Sequence, residues 1–179
     1  MLAVDKLQQI THMVPDQDSR RELEAFYREV FAAQTYYEAK PVQGFDREES
    51  LILIGDTSLI PVCPTDPTSE QGRIRMSYAR RFMSLALKVR TLADADAALR
   101  HHGLNPRYHD PIYRNVFFLT DPAETCGIRF EFCAVEMPND LRLRPDWSPD
   151  WWRDEHPLGI AGLASVGTVA ATMGGALLY

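Results

Sequence analysis

The sequence predicts an α+β protein made of two copies of a β-α-β-β-β unit, and three observations support this fold class. One strand pattern, one helical pattern and three further strand patterns occur in that order twice along residues 5–135. Each helical pattern opens with a cap signal, S-x-x-E at Ser19 and Glu22, then Thr91 with Asp94. Strands and helices do not alternate one by one, which disfavours a doubly wound parallel sheet.

The first unit begins with a strand at 7–14 and continues into a helix with an aromatic stripe. We expect that stripe to pack in the core, because its members recur at helical spacing. Gly55-Asp56 predicts a tight hairpin, and Pro61 predicts that the last strand lies at an edge or is bulged. The stripe comprises Leu23, Phe26, Tyr27, Val30 and Phe31, and the three later strands are predicted at 35–39, 50–55 and 58–63. A polar linker at 64–73 follows.

The second unit repeats this order. Its helix, which Thr91 opens and Gly103 ends, turns an inner stripe towards the core. In the final strand, Glu131 lies on the face opposite the large rings, because side chains alternate along a strand. The inner stripe comprises Leu92, Ala95, Leu99 and His102, and the strands are predicted at 82–89, 106–110, 114–120 and 127–135. Residues 1–135 therefore form one domain with modules at about 5–63 and 82–135.

The remaining residues are predicted to be an extension of that domain. Residues 136–157 are rich in Pro, Asp and Trp, and we interpret them as an ordered linker whose tryptophans pack on the domain. Residues 158–179 resemble the strand and helix start of a third, incomplete module. They carry no charge over a length that could span a bilayer, but their glycines make them only mildly apolar, so a membrane anchor is disfavoured. A strand without a partner favours pairing with a second chain as a homodimer.

Composition excludes some functions. A net charge of -6 and a pI near 5.3 argue against a nucleic-acid-binding surface, which needs clustered Lys and Arg. The three cysteines have no C-x-x-C spacing, and an odd count does not suit a secreted disulfide framework. The start of the chain has no apolar run of a secretory leader. We therefore expect a cytoplasmic protein.

The element order, together with several segments, resembles the vicinal-oxygen-chelate superfamily. The segments are QITHMVPD, AFYREVF, LADADAAL and FFLTDPAETCGIRFEF, within roughly residues 5–135. This superfamily includes glyoxalases, extradiol dioxygenases, methylmalonyl-CoA epimerases and bleomycin-resistance proteins. HPLGIAGLASV resembles the entrance to a further module in longer two-domain members. The resemblance implies paired modules that form a curved, cup-like mixed sheet with the helices outside.

The resemblance also implies a divalent metal (Fe, Mn, Zn, Ni or Mg) in the cup, held from the first and last strands of each module. Carried onto this chain, these positions are Gln9, a residue at or beside Pro61, Ser84 (or Met83 in the neighbouring register), and Glu131. Only Gln9 and Glu131 are usable hard oxygen ligands, so a site without metal remains an alternative.

Two further choices concern the site. His12 could replace Gln9 as a metal ligand in a shifted register, but an odd step along a strand puts them on opposite faces, and we favour Gln9 inside. Besides Glu131, the resemblance places Arg129, Tyr108, Tyr113 and Phe118 around a substrate. Arg129 could instead form a structural ion pair with Glu131.

Three functions remain open. The first is a metal-dependent lyase, isomerase or dioxygenase that acts on a small molecule with adjacent oxygens, with Glu131 as ligand or proton-transfer base. The second is a metal-free binding module like the bleomycin-resistance proteins. The third is the non-catalytic front half of a two-domain extradiol-type dioxygenase. The family resemblance favours the enzyme, whereas the residues themselves favour neither class.

Overall fold

The structure is a computed structural model that describes residues 2–42, 46–108, 114–156, 158–160 and 162–165. Its fold is α+β, as the sequence predicts, with parallel and antiparallel strand pairs and, within these residues, four α-helices. The strands are β1 Val4–Met13, β2 Gln34–Val42, β3 Arg47–Ile54, β4 Thr57–Pro64, β5 Arg81–Val89, β6 Arg107–Tyr108, β7 Phe117–Leu119 and β8 Phe130–Cys133. The helices are α1 Gln17–Phe31, α2 Glu70–Met76, α3 Leu92–His101 and α4 Pro149–Glu155.

The chain divides into two compact units. The first unit contains Gln9–Met83 and Met137–Ala164, and its strand order is β2-β3-β4-β1, with β4 parallel to β1 and antiparallel to β3. The β3–β4 hairpin turns at Gly55-Asp56, where Gly55 has a positive φ of 58°, so the predicted hairpin is confirmed. The core of this unit contains Met13, Ile60 and the indole of Trp152.

The second unit contains residues 2–8 and 84–136, and its strand order is β5-β8-β7-β6. Strand β8 is parallel to β5 and antiparallel to β7. Helix α3 begins where the sequence predicts, because the Thr91 side chain accepts a hydrogen bond from the Asp94 N–H at 3.1 Å. The core beneath α3 contains Ala95, Leu99, Phe118 and Phe132, whereas His102 is exposed, so its predicted inner position is wrong.

Helix α1 departs from the prediction at its start and on its face. Its N-cap is Asp16, whose carboxylate accepts from the Ser19 N–H at 2.7 Å, so the capping box predicted at Ser19 is wrong. The predicted aromatic core stripe is confirmed for Tyr27, which is buried, but it is wrong for Phe26 and Val30, which are 49% and 45% exposed. The residues of α1 that are buried are Arg20 and Tyr27.

Two other expectations fail in the first unit. Strand β4 lies between β3 and β1 and is buried at every position, so Pro61 is in a central strand rather than at an edge or bulge. The predicted polar linker contains the start of α2, which Ser69 caps by accepting from the Gly72 N–H at 2.9 Å.

The described residues of the extension after 157 form neither strand nor helix, and 166–179 lie outside the described residues. No helix in the described part of the chain is long and apolar enough to cross a bilayer.

Candidate functional site

One face of the first unit's sheet carries Gln9, and strand register identifies its other members. Thr11 pairs with Ile60 and Met13 pairs with Val62 in the parallel β1–β4 ladder, so these side chains and that of Gln9 share a face. We call this set, with Leu51 and Leu53 of β3, the Gln9 face. Gln9 is 4% exposed, and its Oε1 atom has no hydrogen-bond partner among the described residues. The face is mixed, because the polar side chains of Gln9, Thr11 and Glu49 lie among its apolar residues.

The Gln9 face is covered by the chain itself. Residues 137–156, here called the C-terminal arm, contain α4, and the fully buried indole of Trp152 packs with Met13, Ile60 and Val62. Trp147 and Trp151 pack beside it, which confirms that the tryptophans of this segment pack on the domain. Trp152 also stacks on His156, with ring centroids 3.7 Å apart and 5° between the planes.

A buried ion pair fixes the start of the arm. Asp140 and Arg142 are joined at 2.6 Å, and their side chains are 0% and 4% exposed. Arg142 also donates to the Asp56 carbonyl oxygen at 2.9 Å, at the β3–β4 turn. Breaking one partner of a buried pair is strongly destabilising, so these contacts hold the arm against the hairpin.

His12 lies on the opposite face of β1, under α1. Its Nδ1 is 3.0 Å from the Tyr27 hydroxyl, and burial lowers its pKa. Pro61 pairs with His12 and therefore shares that side. The structure thus has the register in which Gln9 and His12 point apart, and β4 places Ser58, Ile60 and Val62 on the Gln9 face.

The second unit presents a polar face on its sheet. In the parallel β5–β8 ladder Ala86 pairs with Glu131 and Lys88 with Cys133, so Ser84, Lys88, Glu131 and Cys133 share a side. We call these four residues the Glu131 face. Phe130 and Phe132 point to the other side, where Phe132 belongs to the core beneath α3. Strand β8 therefore has two different faces: Glu131 lies on the polar face, and Phe130 and Phe132 lie on the face towards α3.

Charges of both signs surround Cys133 on that face. Burial, and to a smaller extent the negative charge of Glu131, raise the pKa of its thiol to about 12, and Lys88 opposes the shift. Lys6 and Glu136 also act on this thiol and are joined to each other at 3.0 Å. Cys133 is therefore a protonated, unreactive thiol.

Lys88 is unusual for a charged residue, because it exposes 9% of its surface. Its Nζ donates to the Val89 carbonyl oxygen at 3.2 Å, and it forms no ion pair with a carboxylate among the described residues. A buried ammonium ion without a counter-ion costs free energy, so this position suits an anionic partner.

The residues fit poorly to the divalent metal that the resemblance implies. Glu131 supplies the one anionic donor of the four positions, Ser84 supplies a hydroxyl and Gln9 an amide, while Ile60 and Val62, which flank Pro61 in β4 on the Gln9 face, are apolar. No cluster of three or more His, Cys, Asp or Glu that could hold a metal occurs among the described residues. Divalent-metal sites in proteins usually combine several carboxylate, imidazole or thiolate ligands.

Two of the aromatic residues predicted to line the substrate, Phe118 and Tyr108, lie on the side of the sheet opposite Glu131. Phe118 pairs with Phe132 in the β7–β8 ladder and is fully buried, so it is a core residue on the α3 side. Tyr108 pairs with Phe118 and lies on that side too, where its hydroxyl donates to Asp96 at 2.6 Å. Tyr113 lies outside the described residues.

Arg129 immediately precedes β8. It is half-buried, and its carbonyl oxygen accepts from the Leu85 N–H at 3.0 Å. Its role at a ligand site or as the ion-pair partner of Glu131 stays a prediction.

Sequence reasoning missed Lys88 and the role of the arm. Lys88 is placed on the Glu131 face by its parallel register with Cys133, a long-range pairing that a strand pattern alone does not give. The sequence does contain an indication of this position, because a lysine inside the apolar run LALKV is expected to be buried and to need a polar or charged partner.

A comparison with models of protein families finds no match, and a comparison with curated proteins finds none either. Solved structures do match. The methylmalonyl-CoA epimerase of Mycobacterium tuberculosis is 19% identical, with 77% of this chain and 94% of that chain covered and a TM-score of 0.60. A variant of the Streptomyces coelicolor methylmalonyl-CoA epimerase in complex with 2-nitronate-propionyl-CoA is 18% identical over 76% of this chain and 100% of that one, with a TM-score of 0.62.

A hypothetical protein of Bacillus halodurans matches as well, at 14% identity over 75% of this chain and 97% of that one, with a TM-score of 0.61. These likenesses confirm the predicted fold, which this chain shares with the solved methylmalonyl-CoA epimerases. Fold does not fix chemistry.

Proposed function

We propose that this chain binds a small organic acid with oxygen atoms on neighbouring carbons, and that it does so through its own side chains rather than through a metal. The observation that carries the proposal is Lys88, an ammonium group that is almost entirely buried, has no carboxylate partner among the described residues and lies on the face that also holds Glu131. A ligand carboxylate would compensate that charge.

The other groups of the Glu131 face suit the rest of such a ligand. Glu131 is half-buried and, as a carboxylate, accepts hydrogen bonds, so a ligand hydroxyl next to the carboxylate can donate to it. Ser84 is 5% exposed and supplies a hydroxyl that both donates and accepts. One cation, one acceptor and one neutral hydroxyl on a single face define a 2-hydroxy acid better than they define a metal ion.

A second candidate function, proton transfer as in an isomerase, is favoured by the solved epimerase structures and by Glu131. A half-buried carboxylate can take a proton from a carbon next to a carbonyl group, and a nearby ammonium ion stabilises the negative charge that develops. The same two residues would then bind and react.

The experiment for binding is isothermal titration with lactate and malate, each against its analogue without the hydroxyl, propionate and succinate. We expect saturable binding that favours the hydroxy acids and persists in EDTA. Lys88→Met should abolish binding, because the ammonium group is lost, and Glu131→Gln should remove the preference for the hydroxyl. Lys6→Met is the matched control, since Lys6 is already paired with Glu136, and it should bind as the unmodified chain does. Binding that requires added Mn²⁺ or Zn²⁺, or equal behaviour of all variants, would contradict the proposal.

Proton transfer is tested with methylmalonyl-CoA, the ligand named for one of the solved epimerases. In D₂O, exchange of its α-proton followed by NMR should require Glu131 and cease in Glu131→Gln. Binding of hydroxy acids without any such exchange would leave the binding function and reject the isomerase.

A further inference from the structure

A second site lies on the other side of the second unit, where a surface cleft of about 540 Å³ opens beside α3. The end of β5, the first turns of α3, Tyr108 of β6 and the turn before β7 form its walls. This volume lies within the range of ordinary small-molecule sites. The floor includes Leu92, Ala93 and Ala134, which can receive an apolar group.

The cleft concentrates positive charge in a protein whose net charge is -6. Arg90, Arg100 and Arg114 line it, and among the described residues of the lining Asp96 is the one acidic residue. Arg100 donates to Asp96 at 2.5 Å and Tyr108 donates to the other oxygen at 2.6 Å, so this carboxylate is already fully engaged. Two guanidinium charges are left without compensation, on Arg90 and Arg114, which form no ion pair among the described residues.

The geometry of Arg114 indicates a prepared position rather than a free surface charge. Its guanidinium carbon lies 5.6 Å from the centroid of the Tyr108 ring, a cation–π contact that restricts the side chain. The ring is itself fixed, because it packs 5.3 Å from Phe118 and its hydroxyl binds Asp96. An arginine held in place loses less entropy when it binds a ligand.

We propose that this cleft binds the phosphate group of a small phosphorylated organic molecule. Two uncompensated positive charges match a dianion, and guanidinium groups bind phosphate through paired, charge-assisted hydrogen bonds. The apolar residues Leu92, Ala93 and Ala134 of the lining receive the organic part. The site uses neither Lys88 nor Glu131 and is independent of the function proposed above.

The probe is phenyl phosphate, compared with inorganic phosphate, in isothermal titration at low ionic strength. We expect saturable binding, tighter for the phenyl ester because its ring has an apolar surface to cover. Arg90→Gln and Arg114→Gln should each raise Kd about tenfold, the effect of losing one charge-assisted contact. In two-dimensional NMR the perturbed amides should cluster at Ala93 and Asn115.

Arg21→Gln is the control. Arg21 is exposed on α1, so this substitution removes the same charge at a position away from the cleft. Its Kd should equal that of the unmodified chain, and so should that of Lys88→Met, which tests the other site. Absence of saturation, or the same Kd in all four variants, would overturn the proposal. Any binding would then reflect nonspecific attraction between the ligand and positive charges on the protein. Thermal unfolding of each variant checks that the substitution leaves the fold intact.

Discussion

Trp152 tests whether the C-terminal arm is part of the folded core. Burying an indole of roughly 200 Å² at about 25 cal/mol per Å² stabilises the chain by about 5 kcal/mol. Its Nε1–H has no partner among the described residues, which offsets about 2 kcal/mol of that gain. Trp152→Ala should therefore lower the free energy of unfolding by about 3 kcal/mol, within the usual range for such truncations. For a chain of this size the corresponding fall in Tm is about 9 °C.

The assay is urea unfolding followed by far-ultraviolet circular dichroism, because tryptophan fluorescence would change with the substitution itself. Trp152→Phe keeps an aromatic ring and removes the unsatisfied N–H, so it should cost about 1 kcal/mol or less. Trp151→Ala, a half-buried neighbour, is the matched control and should fall between the two. A loss below about 1 kcal/mol in Trp152→Ala would refute the packing of the arm on the Gln9 face.

Three further predictions concern other parts of the chain. Glu24→Ala should lower the free energy of unfolding by about 3 kcal/mol in urea titrations, because it leaves the buried Arg20 without its ion-pair partner. Arg21→Ala, which breaks an exposed pair, should cost under about 0.5 kcal/mol. Equal losses in the two variants would contradict this difference in burial. In the folded chain Ellman's reagent should modify Cys126 first and leave Cys133 unmodified until denaturant is added, and early labelling of both would contradict the burial of Cys133. Burial lowers the folded-state pKa of His12 below its unfolded value, so its contribution to stability is intact above about pH 6.5 and is lost as pH falls below that value. His12→Gln should therefore reduce the fall in Tm between about pH 7 and pH 5. The same pH dependence of Tm in this variant would contradict the prediction.

Local signals gave the elements of this fold more reliably than they gave the faces. The alternation in FEFC placed Glu131 opposite the rings of β8, and the Thr91 cap placed the start of α3 correctly. Both depend on neighbouring residues in the sequence, which is why they could be read without a structure.

The failures have long-range causes. The stripe that contains Phe26 has the spacing of a buried helix face, yet the sheet beneath α1 presents Ser50, Glu48 and His12. These groups bind Glu24, Gln17 and Tyr27 of the helix, respectively. Buried polar groups need partners, so the polar side of α1 turns inward. The sequence of the helix alone does not show which polar groups of the sheet will face it.

The candidate site follows the same division. Gln9 and Glu131 were identified by their distance from strand ends, but Phe118 was assigned to the ligand although its pairing with Phe132 makes it a core residue. Lys88 and Trp152 acquire their significance from partners far along the chain, Cys133 and Met13.

The polar underside of α1 also limits how the helix can be altered. Hydrogen bonds have direction, whereas apolar contacts tolerate sliding, so a helix held by carboxylate, amide and phenol groups has one allowed rotation about its own axis. Its outer rings can therefore be exchanged for charged side chains with small cost to the fold. Replacing the polar residues on the buried side with apolar ones would remove the hydrogen bonds that fix the orientation of the helix.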